Sequence, residues 1–241
     1  MTLLSTRGLS KNFGGLHAVE DVDFVLPEGQ VRALIGPNGA GKSTFVGMLC
    51  GRIRETRGEV HFSGQDITGL PAHRRIGLGM AYTFQITSVF SRLSLHENVA
   101  LAVRRNRERP NRQEVDSKVG SVLERVGLRD RSGQAAGDLS YGHQRLLEIA
   151  MGLGQEPRLF ILDEPTQGLA DSEVESFKNL IRDLGREITI LLIEHNMSVV
   201  METAEYITVL DSGAVLAEGK PAEIRANPAV QAAYLGSGPP C

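Results

Sequence analysis

Cysteine occurs only twice, at Cys50 and Cys241, without metal-ligand spacing and with enough thiol for one bridge at most. The N-terminus lacks a basic head followed by a signal-length apolar run, so reduced thiols are expected. Long apolar runs are missing as well. A bilayer span takes about 20 apolar residues, whereas Ile188–Ile193 stops at Glu194 after the length of one strand. Nor is there an excess of positive charge. Lys plus Arg number 26 and Asp plus Glu 29, a formal charge of −3, which argues against a nucleic-acid binder that works through net basicity. Repeats, low-complexity tracts and extended heptads are absent. A composition that is 41% hydrophobic and 23% charged belongs to an ordinary globular chain. The expectation is a soluble cytoplasmic protein whose membrane role, if it has one, comes through a partner.

What is present alternates. Val31–Ile35 is an apolar strand entering a glycine cluster, and Glu59–Ser63 is a second strand ending at Gly64. From about Leu95 the apolar spacing turns helical, through Val99, Ala102 and Val103, then Val119, Val122, Leu123 and Val126. Leu146, Ile149, Ala150 and Leu153 continue it. After that, Leu159–Leu162 precedes a helix over about Asp171–Leu184, and Ile188–Ile193 precedes another starting near Met197. Ile207–Leu210 and Ala214–Ala217, split by Asp211-Ser212-Gly213, read as a terminal hairpin. Strand–helix alternation predicts a mostly parallel sheet wrapped by helices. The block from about 88 to 155 reads as an inserted helical subdomain within a single domain spanning 1–241, with hairpin and helices over about 205–236.

The segment Gly36-Pro37-Asn38-Gly39-Ala40-Gly41-Lys42-Ser43 fits G-x-x-x-x-G-K-[ST] between an apolar strand and a helix that opens at Thr44. Glycines let successive backbone N–H groups turn towards phosphate oxygens, and the helix N-terminus adds positive potential. Lys42 suits the β- and γ-phosphates and Ser43 a magnesium ion. Asp163 and Glu164 follow the apolar strand Leu159–Leu162, at the ligand-facing edge of a parallel sheet. Asp163 there suits magnesium and Glu164 the attacking water. A basic stretch, Arg104, Arg105, Arg107, Arg109 and Arg112, reads either as a solvated helix end or as a docking surface for anionic headgroups or an acidic partner.

Further segments resemble the ATP-binding cassette family. Leu139-Ser140-Tyr141-Gly142-His143 is similar to the family signature, and Gln85 in Tyr82-Thr83-Phe84-Gln85 to its glutamine loop, a magnesium contact. Gly168–Asp171 resembles the D-loop, with Asp171 its acid, and His195 the switch histidine. Phe13 matches the aromatic that stacks on adenine, with Val19 beside it. Within the family the text is most similar to the ATPases of branched-chain amino acid importers, through Phe13–Val19, Thr83–Gln85, Ile193–Met197 and Ala233–Gly236. Urea and lipopolysaccharide-transport ATPases resemble it in parts.

The resemblance implies a RecA-like P-loop NTPase core, with antiparallel elements on the N-terminal side, that hydrolyses ATP with Mg2+. It implies two such cassettes meeting head to tail, Ser140 and Gly142 of one reaching the γ-phosphate held by the other. Lys42, Glu164 and His195 would carry the chemistry, and Gly36–Thr44 would hold the nucleotide. The implied partners are two integral membrane permease subunits, a second cassette and, indirectly, an extracytoplasmic solute-binding protein, with no nucleic acid. The chain would then lie peripherally on the cytoplasmic face of the membrane. Tyr141 and His143 depart from the broad family's Ser-Gly-Gly-Gln, and Phe13 from its commoner Tyr. The other readings are a soluble cassette acting on DNA or ribosomes, a small-molecule kinase, and a GTPase. The GTPase reading lacks the Asn-Lys-x-Asp guanine motif.

Overall fold

The computed structural model describes residues 1–83, 88–105 and 111–235. The chain opens with two long antiparallel strands, β1 (Thr2–Phe13) and β2 (Leu16–Pro27). β3 (Val31–Ile35), α1 (Lys42–Leu49), β4 (Arg57–Phe62), β5 (Gln65–Asp66), α2 (Ala72–Gly77) and β6 (Met80–Tyr82) follow. Then come α3 (Leu95–Arg105), α4 (Arg112–Arg125) and α5 (Tyr141–Gly154). The strand–helix alternation resumes with β7 (Leu159–Asp163), α6 (Asp171–Leu184), β8 (Thr189–Ile193) and α7 (Met197–Thr203). β9 (Tyr206–Asp211), β10 (Ala214–Gly219), α8 (Pro221–Ala226) and α9 (Pro228–Leu235) complete the described chain.

The strands form two sheets. One has the order β10-β9-β3-β8-β7-β6, parallel except for the edge pair β9–β10; the other is antiparallel, β2-β1-β4-β5. Every residue of β3, β7 and β8 is buried, because a parallel sheet is covered on both faces and its strands are mostly apolar. Strand alternation sends successive side chains to opposite layers. Leu159, Ile161, Leu191 and Ile193 join α1 and the antiparallel sheet, where the Phe24 and Phe45 rings meet edge-on at 5.5 Å. Phe160, Leu162, Ile190 and Leu192 join α3, α5 and α6. Burying a side chain such as Phe160 contributes about 2–3 kcal/mol.

The helices α3, α4 and α5 interrupt the alternation between β6 and β7 and pack on one another and on that second layer. α5 approaches β7 at Gly152, where an added Cβ would lie 2.3 Å from the Phe160 ring. The Asn111 side chain and Glu114 cap α4 reciprocally. The hairpin β9–β10 turns through Ser212 and Gly213, at φ +49° and +82°, a pair of positive values that matches strand twist in a two-residue turn. That turn reaches the glycine cluster: Gly213 N–H donates to the Ala40 carbonyl at 3.1 Å, and Glu20 N–H to the Gly213 carbonyl at 2.8 Å.

Candidate nucleotide site

The loop after β3 is shaped by backbone geometry that only glycine accommodates well. Gly39 and Gly41 sit at φ +82° and +95°. An added Cβ at Gly41 would lie 2.3 Å from the Ala18 carbonyl oxygen. Lys42 Nζ donates to the Gly36 and Pro37 carbonyls at 2.6 and 3.0 Å, spanning the loop it follows. Burial pushes the Lys42 ammonium below its ordinary pKa, and the nearby Glu164 and Asp163 charges push it back up. The loop floors a cleft of about 570 Å³ lined by Phe13, Leu16, His17 and Ala18, the run Asn38–Thr44, and Glu164, Ile193 and Ser212. Phe13 is about half exposed, with Lys11 Nζ 4.9 Å from its ring centroid. Val19 does not line this cleft: its side chain is fully buried in the core beneath Gly41, and Ala18 faces the cleft in its place, as strand alternation requires.

Asp163 closes β7 and is buried, its Oδ2 accepting from the Tyr82 hydroxyl at 2.7 Å, while its N–H donates to Thr83 Oγ1 at 3.1 Å. Burial raises its pKa, the Tyr82 hydrogen bond lowers it, and the Glu164 charge raises it again. Glu164 takes φ +47°, a left-handed conformation that a residue with a Cβ adopts only under tertiary constraint. The constraint is visible. Its N–H donates to the Ile193 carbonyl at 2.9 Å, and its own carbonyl accepts from Gln167 N–H at 3.2 Å. The bend turns the carboxylate out of the sheet, with Oε1 3.9 Å from Nδ1 of the exposed His195. Lys42, Asp163, Glu164 and His195 are thus gathered at the carboxyl ends of adjacent strands.

The signature segment lies elsewhere. Ser140 caps α5, its hydroxyl meeting the His143 ring nitrogen at 2.6 Å and accepting from His143 N–H at 3.3 Å. Tyr141 covers Gly168, where an added Cβ would lie 2.6 Å from the ring, and Gly142 abuts Leu169 and Glu173. Leu139 is buried, Ser140 and Tyr141 are exposed, and Asp171 opens α6 on the surface. None of Leu139–His143 lines the cleft. Gln85, Arg107, Arg109, Gly236 and Cys241 lie outside the described residues. Cys50 is buried, which raises its thiol to about 12 and leaves it unreactive.

The donors present suit a magnesium–nucleotide pair. Ser43 and Asp163 offer hard oxygens, and the described residues contain no cluster of three or more His, Cys, Asp or Glu able to cage an ion unaided. Magnesium takes one or two protein oxygens and completes its shell with phosphate and water. Two groups at this edge escape a reading of the sequence. Tyr82 is identifiable only through its partner Asp163. Glu194, adjacent to His195, hides at the end of an apolar run as a single acidic letter. A lone carboxylate at the end of a fully buried strand is the available signal, because it needs hydrogen-bonding partners to be there.

Known proteins bear on this geometry. Residues 19–167 match the ABC transporter family model, and residues 214–239 match that of the branched-chain amino acid ATP-binding cassette transporter. The chain is 39% identical over 249 residues to the high-affinity branched-chain amino acid transport ATP-binding protein BraF of Pseudomonas aeruginosa, with 97% of this chain and 98% of BraF covered. It is 37% identical to LivG of Escherichia coli, of the same description, at the same coverage. It is also 38% identical over 236 residues to the lipopolysaccharide export ATP-binding protein LptB of Acidithiobacillus ferridurans, with 97% of each covered. Among solved structures, a nucleotide-free cassette from an ABC transporter superimposes with a TM-score of 0.89 at 28% identity, over 98% of this chain and 100% of that one. An ADP-bound cassette gives 0.88 at the same identity and coverage.

Proposed function

The chain belongs to the ABC transporter family, and we propose that within it the protein is the ATP-hydrolysing motor of an importer for branched-chain amino acids. The observation that carries the motor is the cleft itself, with the Asn38–Thr44 run and Glu164 in its lining and His195, outside that lining, 3.9 Å from the Glu164 carboxylate. The cargo reading rests on the C-terminal match over 214–239 and on the similarity to BraF and LivG. It is favoured over lipopolysaccharide export because the C-terminal family model is described as that of the branched-chain amino acid transporters and BraF is among the relatives of highest identity. No helix among the described residues is long and apolar enough to cross a membrane, so the solute path belongs to partner chains.

Phosphoryl transfer demands positioning and charge neutralisation. The backbone N–H groups of Asn38–Ser43 and the Lys42 ammonium hold the phosphates, while Phe13 offers a flat face to the base. Ser43, Asp163 and Gln85 would hold the magnesium ion, which neutralises phosphate charge when bound. Glu164 stands as general base, taking a proton from the attacking water as the water's oxygen bonds to the γ-phosphorus and the bond to the ADP oxygen breaks. His195 holds the γ-phosphate and the water in line. Ser140 and Gly142, remote from the cleft of their own chain, would complete the cleft of a second cassette, with Asp171 at the same seam. His143 would orient the Ser140 hydroxyl there.

Co-purification from the native membrane in mild detergent tests the reading. Recovery of two very hydrophobic chains with a sister ATPase, and retention of branched-chain amino acid by the solute-binding protein they recruit, is the expected result. Recovery of the chain alone, or with ribosomal or DNA-associated proteins, would overturn the importer and leave the ATPase. Recovery of an outer-membrane lipid pathway would replace the cargo.

A further inference from the structure

Glu194 directly follows β8 and is fully buried, and its hydrogen bonds come from two loops. Oε1 accepts from Thr166 N–H at 3.0 Å and from the Thr166 hydroxyl at 2.5 Å. Oε2 accepts from His195 N–H at 3.0 Å and Asn196 N–H at 3.1 Å. Thr166 lies on the loop that leaves Glu164, and His195 and Asn196 form the loop that carries the switch histidine. The same two loops are joined once more, by Glu164 N–H to the Ile193 carbonyl at 2.9 Å. Asn196 in turn caps α7 through Ser198 N–H at 3.1 Å. One carboxylate therefore holds, on its two oxygens, the segments bearing Glu164 and His195.

We propose that Glu194 is a positioning residue that sets the spacing between Glu164 and His195, and so holds the pair in register with the phosphate loop. The proposal rests on the ATPase reading of this edge. A carboxylate is what the place requires, since each of its oxygens accepts from two donors. Glutamine would offer one acceptor oxygen and turn an NH2 group towards donors on the other side, leaving buried N–H groups unpaired and one loop untied. Aspartate keeps the charge and loses one methylene of reach. A bracing role in the core alone would be met by donors from neighbouring strands or helices. Here the donors belong to the residues next to the reacting groups.

The experiment measures kcat, KM, ATP affinity and thermal stability of the purified full chain with Mg–ATP, using excess enzyme so that slow turnover is read. The variants are Glu194→Gln and Thr166→Val, each alone and combined with His195→Ala. Displacement of a positioned group by about 1 Å costs on the order of 100-fold, so Glu194→Gln should lower kcat by roughly 10- to 100-fold with KM changed less than about twofold. Thr166→Val removes one donor without touching the charge and should lower kcat by several fold. In the His195→Ala background, where the spacing no longer matters, both should cost less than about threefold. Equal losses in the two backgrounds, or losses that follow thermal stability and KM together, would overturn the proposal. Wild-type kcat in Glu194→Gln beside a silent His195→Ala would overturn it while keeping the histidine reading. Wild-type turnover in His195→Ala would remove that reading and the spacing proposal with it. If Glu194→Gln does not fold, Thr166→Val decides, an unchanged kcat counting against the proposal.

Discussion

The phosphate loop offers a perturbation whose size can be worked out atom by atom, alanine at Gly41 set against alanine at Gly39. Both glycines have positive φ, +95° and +82°, and holding alanine there costs about 1–2 kcal/mol at either position. The surroundings separate them. An added Cβ at Gly39 meets nothing within 4 Å, whereas at Gly41 it would lie 2.3 Å from the Ala18 carbonyl oxygen and 3.4 Å from both Gly213 Cα and Val19 Cγ2. Relief takes roughly 1 Å of movement by a backbone carbonyl in β2, adding an overpacking cost of about 1–3 kcal/mol. Gly39→Ala should therefore lose about 1–2 kcal/mol and Gly41→Ala about 2–5 kcal/mol. At about 3 °C per kcal/mol for a domain of this size, the melting temperatures should fall by about 3–6 °C and 6–15 °C. Nucleotide-free thermal melts measure this directly, since a bound phosphate would itself contact a side chain at Gly39. A fluorescent ATP analogue then shows whether the Gly41 variant binds about tenfold or more weakly, as a displaced loop should. Equal thermal losses in the two variants would refute the argument, because the Ala18 carbonyl would then carry no part of the cost.

Glu164→Gln should bind ATP as the native chain does and lose about 100-fold or more of its turnover, accumulating an ATP-bound dimer visible by size-exclusion chromatography; turnover near wild type would remove the glutamate from the proton transfer. Lys42→Ala should weaken ATP binding itself, read by isothermal titration, and an unchanged affinity would count against the loop as the phosphate site. Lys178 bonds to Glu175 of its own helix at 2.7 Å and ties α6 to α7 through Ser198 and Glu202 at 2.8 Å, and its hydrogen bond leads the effects that hold Glu202 below its ordinary value of 4.5. A lowered carboxylate stabilises above 4.5 and ceases to as pH falls through the lowered value, so Glu202→Gln should lower the neutral melting temperature slightly and flatten its acid-side decline by a matching amount. An acid limb unchanged in that variant would place the dependence elsewhere.

Elements that depend on local rules were readable from the letters. The predicted helix over Asp171–Leu184 matches α6, and the strands β3, β7 and β8 are mostly apolar runs of strand length, a pattern that burial on two faces imposes. The phosphate loop was readable because its glycines answer a conformational demand made within eight residues of chain. The long strands β1 and β2 do not stand out in the letters. Register shifts around Gly8 and Asp21, at φ +54° and +52°, break their alternation of apolar and polar letters. The burial of Val19 is hard to read from the letters for a related reason, since one residue of register decides whether it or Ala18 meets the cleft. Glu194 was invisible because its meaning lies in Thr166, on a loop that only the folded sheet brings beside it.

The strand order explains why the site assembles where it does. β8 lies between β3 and β7, so the phosphate loop leaving β3 and the acidic pair leaving β7 are separated by one strand, whose own end supplies Ile193, Glu194 and His195. Neighbouring strands are about 4.8 Å apart, which sets the β3 and β7 ends about 10 Å apart, too wide to touch directly and close enough to flank a γ-phosphate with its attacking water. The outgoing end of β8 is therefore the one place from which a side chain can address both. His195 occupies it, exposed, while Glu194 turns inward to hold the loops on one side. The hairpin β9–β10 braces the other side through Gly213 to Ala40. Insertion of α3–α5 between β6 and β7 leaves this edge undisturbed, yet it presents Ser140 and Tyr141 beside Gly168, on the segment that leads out from Glu164. Ser140 and Tyr141 are thus separated from Glu164 by a short stretch of backbone, Pro165–Gly168, whose middle is pinned by Glu194.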